Sequence, residues 1–252
     1  MLPTLKRLVP RALRPKLHIV ALVQRETGGR VRGGPFAGLD LGRDCQWLAA
    51  LLGLYERELW PIVDEIASAG FDRVVVAGAA EGYYAAGLAR RMPAARVIAF
   101  EADALMQARL RRTVALNGVE GRIDVEGYCA PADLARALDG AGRPLVICDV
   151  EGYESTLLDP QRVPLDRAAL LVELHDHLSA GVSALIRERF ARTHVIREIQ
   201  QSERAAGDFP FTSALVRLLP RAYLEWAVSE GREAPMHWFW MQPRHQMYPS
   251  QG

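Results

Sequence analysis

The sequence predicts an α/β protein built on a Rossmann-like, doubly wound and mostly parallel sheet. Segments with strand-like composition alternate with segments of helical periodicity, which is the pattern of βαβ units. Three strand-like segments, RVVVA, LVICDV and LLVEL, are almost continuously apolar, as expected for strands covered on both faces. A glycine directly follows the first of them, where a ligand-binding loop would lead into a helix.

The composition is that of an ordinary globular protein. Half of the 252 residues are hydrophobic and the net charge is +1, so no global field favours nucleic acid or acidic lipid. The three cysteines, Cys45, Cys129 and Cys148, lack CxxC spacing, which argues against a disulfide framework or a zinc site. Free thiols are typical of a reducing compartment, so we expect a cytoplasmic protein. No stretch approaches the length of a membrane span.

The chain begins with a basic segment. Five of its first 16 residues are basic and no acidic residue precedes Glu26. We expect residues 1–46 to be a partly disordered extension, with a short strand at 19–23 and glycine-rich turns over 26–46. The run 19–23 is too short for the core of a signal peptide. A weak contact of this extension with a membrane surface or a polyanion is the alternative.

The main domain is expected to span residues 47–220. Its lead-in helix covers 47–69, with a break near Pro61 and an end at Gly70. Seven strands are predicted, at residues 73–77, 96–101, 122–127, 145–150, 169–175, 194–200 and 213–219. Helical patterns lie at 83–91, 105–116, 131–138 and 180–190. Residues 221–252 are expected to form a helix and an aromatic tail that packs on the domain or acts as a lid.

The loop after the first strand is the first candidate ligand site. In VVVAGAAEGYYAAGLA, Gly78 ends the strand and can adopt backbone angles that other residues avoid. Gly82 stands at the start of the helix, where free backbone N–H groups point outward. Residues 78–82 are therefore predicted to form a ligand-binding loop, with a plain tight turn as the alternative.

The spacing of the loop disfavours a dinucleotide. In the GxGxxG pattern the second and third glycines would stand at Ala80 and Tyr83, and Glu81 would place a carboxylate beside the pyrophosphate. A ligand without phosphates suits the loop better, and S-adenosylmethionine is one such ligand. A nicotinamide-dependent oxidoreductase is accordingly the third-ranked function.

An acid after the second strand favours an adenosine-containing ligand. Glu101 follows Gly78 by 23 positions, near the offset at which a carboxylate accepts hydrogen bonds from ribose hydroxyls. A solvated acid at a strand end is the alternative for Glu101, and the neighbouring Asp103 has a less suitable offset.

Four segments in order carry a family resemblance: VVVAGAAEGYYAAGLA, VIAFEAD, LVICDVEGYE and LLVELHDH. They resemble the FkbM-type family of S-adenosylmethionine-dependent methyltransferases, over about residues 55–178. The most specific piece is DVEGYE, at 149–154. The resemblance implies the class I methyltransferase fold with a seven-stranded sheet. It also implies methyl transfer, most often to a hydroxyl of a sugar or secondary metabolite.

The resemblance also implies site residues. The cofactor-binding residues would be Gly78, Ala80, Glu81, Gly82, Glu101, Cys129 and Asp149. Glu101 would hold the ribose, Cys129 would lie near the adenine, and Asp149 would lie between the cofactor and the acceptor. One position departs from the family, since Val76 stands where an acid usually precedes the first loop glycine. Either Glu81 replaces that acid or cofactor binding is weakened. The alternative function is an inactive module that binds a nucleoside-type ligand or a protein partner.

Three residues after the fourth and fifth strands are the catalytic candidates. Removal of a proton from an acceptor hydroxyl would fall to Asp149, Glu151 or His175, and His175 is the best base by its ordinary pKa. A structural role for His175 stays an alternative, as does a helix-start role for Glu151 and Glu154.

The expected site contains no metal, because no ligand spacing is diagnostic. Magnesium or manganese is the open alternative, held among Asp149, Glu151, Glu173, His175, Asp176 and His177. The expected partner is a small hydroxyl-bearing acceptor, with no nucleic acid. The sequence does not fix the oligomeric state.

Overall fold

The computed structural model describes residues 15–247, so the first 14 residues of the predicted N-terminal extension lie outside the described range. Within that range the chain forms a seven-stranded sheet in the order β3-β2-β1-β4-β5-β7-β6. The strands are β1 (Arg73–Ala77), β2 (Arg96–Phe100), β3 (Ile123–Glu126), β4 (Pro144–Cys148), β5 (Ala169–Leu174), β6 (His194–Gln200) and β7 (His237–Pro243).

Neighbouring strands from β3 to β5 pair in parallel, whereas β7 pairs antiparallel with both β5 and β6. This architecture confirms the predicted Rossmann-like, mostly parallel seven-stranded sheet.

The described residues also form eleven α-helices. They are α1 (Pro15–Thr27), α2 (Leu48–Leu51), α3 (Trp60–Ser68), α4 (Tyr83–Arg91), α5 (Ala104–Leu116), α6 (Pro131–Leu138), α7 (Glu154–Leu157), α8 (Val182–Phe190), α9 (Ala214–Leu218), α10 (Arg221–Val228) and α11 (Arg244–Met247). Short 3₁₀ turns lie at Arg57–Leu59, Glu120–Arg122 and Ala206–Asp208.

The central strands are buried along their length. All residues of β4 and β5 are buried, and β1 is buried from its second residue onward. Side chains such as Val146 and Leu170 pack in one cluster with Leu134 of α6 and Ile186 of α8. The near-continuous apolar runs in the sequence therefore have the two-sided burial that they predict.

The strand order indicates where a ligand crevice lies. The chain runs from β1 outward to β2 and β3, and then returns to β4 on the other side of β1. Ligands of open α/β sheets bind where the order reverses in this way, beyond the carboxyl ends of the strands. The loops after β1, β2, β4 and β5 meet at this edge.

One predicted strand near the start of the chain is wrong. Residues 19–23 lie inside α1, not in a strand. Pro15 begins this helix, a position that proline tolerates, and the two buried side chains, Ile19 and Val23, are four residues apart on one face. The β-branched residues that favour a strand are thus the buried stripe of a helix.

The seventh strand also differs from the prediction. The predicted strand at 213–219 contains α9 (Ala214–Leu218) instead, and Ser213 caps that helix by accepting a hydrogen bond from the Val216 amide at 3.2 Å. The seventh strand is β7, which comes from the aromatic segment predicted as a tail. Trp238, Phe239 and Trp240 are buried in it.

The chain divides into two compact units. One contains the described residues up to Arg57 together with Ser202–Glu233. The other contains Glu58–Gln201 and the described residues from Ala234 onward, and it holds the whole sheet. These units differ in extent from the three predicted segments, whose roles stay predictions. Cys45, Cys129 and Cys148 are free thiols and all are buried.

In the part of the chain that is described, every helix is too short or too polar to traverse a bilayer.

Candidate active site

The loop after β1 is tied to both neighbouring strands. The amides of Gly78 and Ala79 donate to the carbonyl of Phe100 at 3.0 and 2.9 Å, which fixes the loop against the end of β2. On the other side, a Cβ built on Gly78 would lie 1.6 Å from the Asp149 carbonyl oxygen. Because Gly78 also has a φ of 82°, only glycine fits this position without displacement of the chain after β4.

The remainder of the loop has an unusual backbone as well. Ala80 has a φ of 44°, in the left-handed region that residues other than glycine rarely adopt. Gly82, with a φ of 92°, lies against α5, since a Cβ there would come within 2.6 Å of the Leu110 side chain. The loop is thus shaped by close packing on both of its flanks.

Glu101 joins the loop to the end of β2. Its Oε2 accepts from the Ala80 amide at 2.7 Å, and its Oε1 accepts from the Asp103 amide at 2.8 Å. A carboxylate has about four acceptor sites, so this contact leaves capacity for ligand hydroxyls. Asp103, the weaker candidate, instead caps α5 by accepting from the Met106 amide at 2.8 Å.

Glu81 points away from the loop toward α5. It forms an ion pair with Arg109, and only 18% of its side chain is exposed. Arg109 thereby balances the charge of the acid that the sequence offers as a substitute at Val76. Val76 itself is buried in β1.

Cys129 follows β3 and is buried. Burial, aided by the charges of Asp133 and Glu126, raises the pKa of Cys129 to about 12, so the thiol stays protonated. Beside it, Tyr128 is 57% exposed. Tyr128 is not among the predicted site residues, although aromatic side chains commonly line ligand pockets.

Tyr128 is paired with Tyr153 of the DVEGYE segment. Their ring centroids lie 5.6 Å apart, and a hydrogen bond to Tyr153 raises the pKa of Tyr128 to about 12. The tyrosine pair connects the end of β3 with the turn after β4.

The three catalytic candidates do come together. His175 Nε2 lies 3.5 Å from Asp149 Oδ1 and 3.3 Å from Glu151 Oε2. One polar atom from each of the three residues falls within 4.8 Å of the others. Asp149 and His175 are the residues that directly follow β4 and β5, so the parallel pairing of these strands brings them together.

A residue outside the predicted site set orients the histidine. Glu154 begins α7, is fully buried, and places Oε1 2.6 Å from His175 Nδ1. The same oxygen accepts from the Gly152 amide at 3.1 Å. Its position in DVEGYE is the signal that could have found it, but its partner lies 21 residues away in sequence.

The electrostatics favour a proton on His175. Burial lowers the pKa of His175, but the hydrogen bond to Glu154 and the charges of Glu154, Glu173 and Glu151 outweigh it. The net result is a pKa raised from the ordinary value of 6.5.

The turn that presents Glu151 is strained. Glu151 has a φ of 50°, in the left-handed region, and Gly152 follows with a φ of 95°. Such conformations cluster at ligand sites because the surrounding structure must enforce them. Here the turn brings the exposed Glu151 carboxylate over the buried His175 ring.

Asp176 belongs to a separate cluster. Its carboxylate accepts from the Ser183 hydroxyl, and Ser183 Oγ lies 2.8 Å from His237 Nε2. The His177 ring centroid lies 5.8 Å from that of His175. The acids and histidines expected to cluster after β4 and β5 therefore form two groups, one around His175 and one around Asp176.

Comparisons with known proteins do not identify a family. No family model and no curated protein matches the sequence, so the FkbM-type resemblance stays a prediction. Three solved structures illustrate the distant likenesses. The O-methyltransferase TomG from Streptomyces achromogenes, in complex with SAM, is 16% identical with a TM-score of 0.46, over 95% of this chain and 94% of that chain.

The other two structures are of enzymes that act on RNA. An rRNA methylase from Streptococcus thermophilus is 13% identical with a TM-score of 0.49, over 75% of this chain and 98% of that chain. The B. subtilis tRNA methyltransferase TrmK is 13% identical with a TM-score of 0.47, over 75% and 68%. At these values the likenesses do not bear on function.

Proposed function

We propose that this protein is an S-adenosylmethionine-dependent methyltransferase that acts on a hydroxyl of a small molecule. One observation carries the proposal: the loop after β1 and the Glu101 carboxylate meet at the crevice where the strand order reverses, directly against Asp149. An adenosine-binding acid, a close-approach glycine and the acceptor candidates thus lie at one edge of the sheet.

The residues present fit this cofactor. The acids Glu81 and Glu101 flank the loop, and Arg109 pairs with Glu81. The acceptor capacity that remains on the Glu101 carboxylate disfavours a pyrophosphate and suits a ligand that carries ribose hydroxyls. The protonated, buried Cys129 and the exposed Tyr128 supply an apolar surface after β3, where the adenine would lie.

S-adenosylmethionine, when bound, supplies an electrophilic methyl group on a sulfonium. The chain supplies position and proton transfer. Glu101 accepts hydrogen bonds from the ribose hydroxyls, and Gly78 lets the ligand approach the main chain. Asp149, Glu151 and His175 receive the acceptor at the neighbouring strand ends.

His175 is the best placed of these three to take a proton. When it is neutral, Nδ1–H donates to Glu154 and Nε2 faces the crevice as an acceptor. A raised pKa makes that neutral ring a stronger base. The surrounding carboxylates stabilise the imidazolium that forms when the hydroxyl loses its proton.

The proposal is tested by the class of ligand that binds. Calorimetric titration of the purified protein with S-adenosylhomocysteine should give one site with micromolar affinity, and titration with NADH should give no heat of binding. Binding of NADH but not of S-adenosylhomocysteine would contradict the proposal.

A second function is favoured by Val76. The apolar residue at this position removes the acid that would hold the amino-acid end of the cofactor, and Arg109 occupies the substitute acid, Glu81. An inactive module would bind S-adenosylhomocysteine yet transfer no methyl group. Incubation with methyl-labelled S-adenosylmethionine and a panel of sugar and phenol hydroxyl acceptors separates the two functions.

A further inference from the structure

We propose that Asp149, Glu151 and His175 hold a divalent cation of the Mn²⁺ or Mg²⁺ type, with Glu154 as the positioning residue for His175. The role of the cation in activating an acceptor rests on the proposed function. Binding of the cation does not rest on it, because the site is built from side chains whose geometry is independent of any cofactor.

The spacing of the three side chains suits a cation. His175 Nε2 lies 3.5 and 3.3 Å from the nearest carboxylate oxygens of Asp149 and Glu151, and the three ligand atoms lie within 4.8 Å of one another. Ligands bound at about 2.1 Å to a common ion lie about 3.0–3.4 Å apart when adjacent, and about 4.2 Å apart when opposite. A cation therefore fits between the three atoms after shifts of less than an ångström.

The histidine is built as a metal ligand. Only 3% of its side chain is exposed, yet Nε2 is aimed at the two carboxylates. Nδ1 is fixed on the other side by Glu154 Oε1 at 2.6 Å, with the glutamate fully buried. A carboxylate that holds the second nitrogen is the usual support of a metal-binding histidine, since it fixes the tautomer and the ring orientation.

Carboxylates approach both nitrogens of the imidazole. Asp149 and Glu151 lie beside Nε2, and Glu154 holds Nδ1. A dication between Nε2 and the first two carboxylates would carry the charge opposite to theirs and would attract both.

The mixture of ligands indicates the kind of ion. Two carboxylates and one imidazole suit Mn²⁺ and, with a smaller preference, Mg²⁺, whereas sites selective for soft metals use thiolates. Glu151 is 76% exposed, so one side of the site is open to water and to an acceptor hydroxyl. Only part of the coordination sphere would come from protein, as is usual for these ions.

The cation would lower the pKa of a bound acceptor hydroxyl, whose proton then leaves to solvent. The resulting oxyanion attacks the methyl group, so that the O–C bond forms as the S–C bond breaks. An anion and a sulfonium give a neutral ether and neutral S-adenosylhomocysteine, which balances the step. Because the Asp149 carbonyl packs on Gly78, the ion would lie beside the loop that holds the methyl donor.

Electron paramagnetic resonance of Mn²⁺ tests the site without any turnover. Addition of protein should reduce the six-line signal of free Mn²⁺ with a stoichiometry of one, and Mg²⁺ should compete. Asp149→Asn and Glu151→Gln should each weaken binding at least tenfold. The matched controls Asp139→Asn and Glu188→Gln, at exposed positions elsewhere in the chain, should leave it unchanged.

Glu154→Gln tests the positioning role. It should weaken Mn²⁺ binding by about 10- to 100-fold while circular dichroism shows a folded protein. The proposal is overturned if wild type binds no Mn²⁺, or if Asp149→Asn and Glu151→Gln bind it as tightly as their controls.

Titration with S-adenosylhomocysteine distinguishes failure of the cation-site proposal from failure of the proposed function. If S-adenosylhomocysteine binds but Mn²⁺ does not, the methyltransferase proposal stands and His175 acts directly as the base. If Mn²⁺ binds but S-adenosylhomocysteine does not, the cation site is supported and the proposed methyltransferase function is contradicted.

Discussion

The backbone carbonyl of Asp149 occupies the space where a side chain on Gly78 would begin, with only 1.6 Å between the oxygen and an ideal Cβ. The Asp149 amide also donates to the Ala77 carbonyl at 2.9 Å. The loop proposed to hold the cofactor and the segment proposed to receive the acceptor are therefore in direct backbone contact. A displacement of the loop after β1 must therefore displace the chain after β4.

Gly78→Ala should destabilise the protein and abolish S-adenosylhomocysteine binding. The added methyl group must displace the chain after β4, and the φ of 82° is strained for alanine. We expect a loss of at least about 3 kcal/mol in the free energy of unfolding, measured by urea denaturation.

Gly70→Ala is the matched control. Its φ of 73° is similar, but nothing lies within 4 Å of the added Cβ. Only the backbone strain remains, about 1–2 kcal/mol. Equal losses for the two variants would show that the contact with Asp149 contributes nothing.

The parallel core of the fold was predictable because its strands are buried on both sides. A strand such as β4 must be apolar throughout, and its sequence shows this without any tertiary information. The errors lie where local composition misleads. Three of residues 19–23 are β-branched, yet the segment forms part of α1. β7 pairs antiparallel with β5 and β6, so the βαβ pattern does not identify it as a strand.

The candidate site was predictable only in part. Glu101 and Asp149 follow strands, so their edge of the sheet follows from the pattern alone. The contact of Glu154 with His175 could not be predicted, because it depends on how the turn after β4 folds over the end of β5. The left-handed conformation of Glu151 is likewise a tertiary property.

Acid should destabilise the protein through His194. This residue is fully buried, with Nε2 2.9 Å from the Ala168 carbonyl oxygen. Burial lowers the pKa of His194 from 6.5, and the bond to Ala168 only partly opposes it. Below pH 6.5 the unfolded chain therefore binds a proton that the folded chain does not, and the free energy of unfolding falls as pH falls.

For one proton, the free energy of unfolding can change by at most about 1.4 kcal/mol per pH unit. Thermal unfolding at pH values from 7 to 5 measures this slope. His194→Gln should flatten the dependence, whereas His18→Gln, at an exposed position, should not. If His194→Gln retains the full wild-type slope, the buried histidine is not its source.

The smaller compact unit should depend on a buried network of charges. Arg204 and Glu230 form an ion pair whose side chains are 4% and 1% exposed, and Glu230 also accepts from the Glu56 amide at 3.0 Å. Glu230→Ala removes the carboxylate partner of the buried Arg204 guanidinium and leaves it with neutral acceptors such as the Leu54 carbonyl, so we expect a loss of about 3–5 kcal/mol by urea denaturation.

An exposed pair provides the comparison. Arg96 and Asp124 are about half exposed and lie 2.8 Å apart. Asp124→Ala should cost about 1 kcal/mol or less. A loss for Glu230→Ala as small as this would contradict a structural role for the network.

The most direct test of the central claim is the affinity of Glu101→Gln for S-adenosylhomocysteine, measured by calorimetry beside wild type and the exposed control Glu120→Gln. Hydrogen bonds from ribose hydroxyls to a carboxylate contribute about 1.5–3 kcal/mol each, so the loss should be at least tenfold. We expect this loss for Glu101→Gln, and wild-type affinity for Glu120→Gln. Equal affinity of Glu101→Gln and wild type, or no binding by folded wild type, would contradict it.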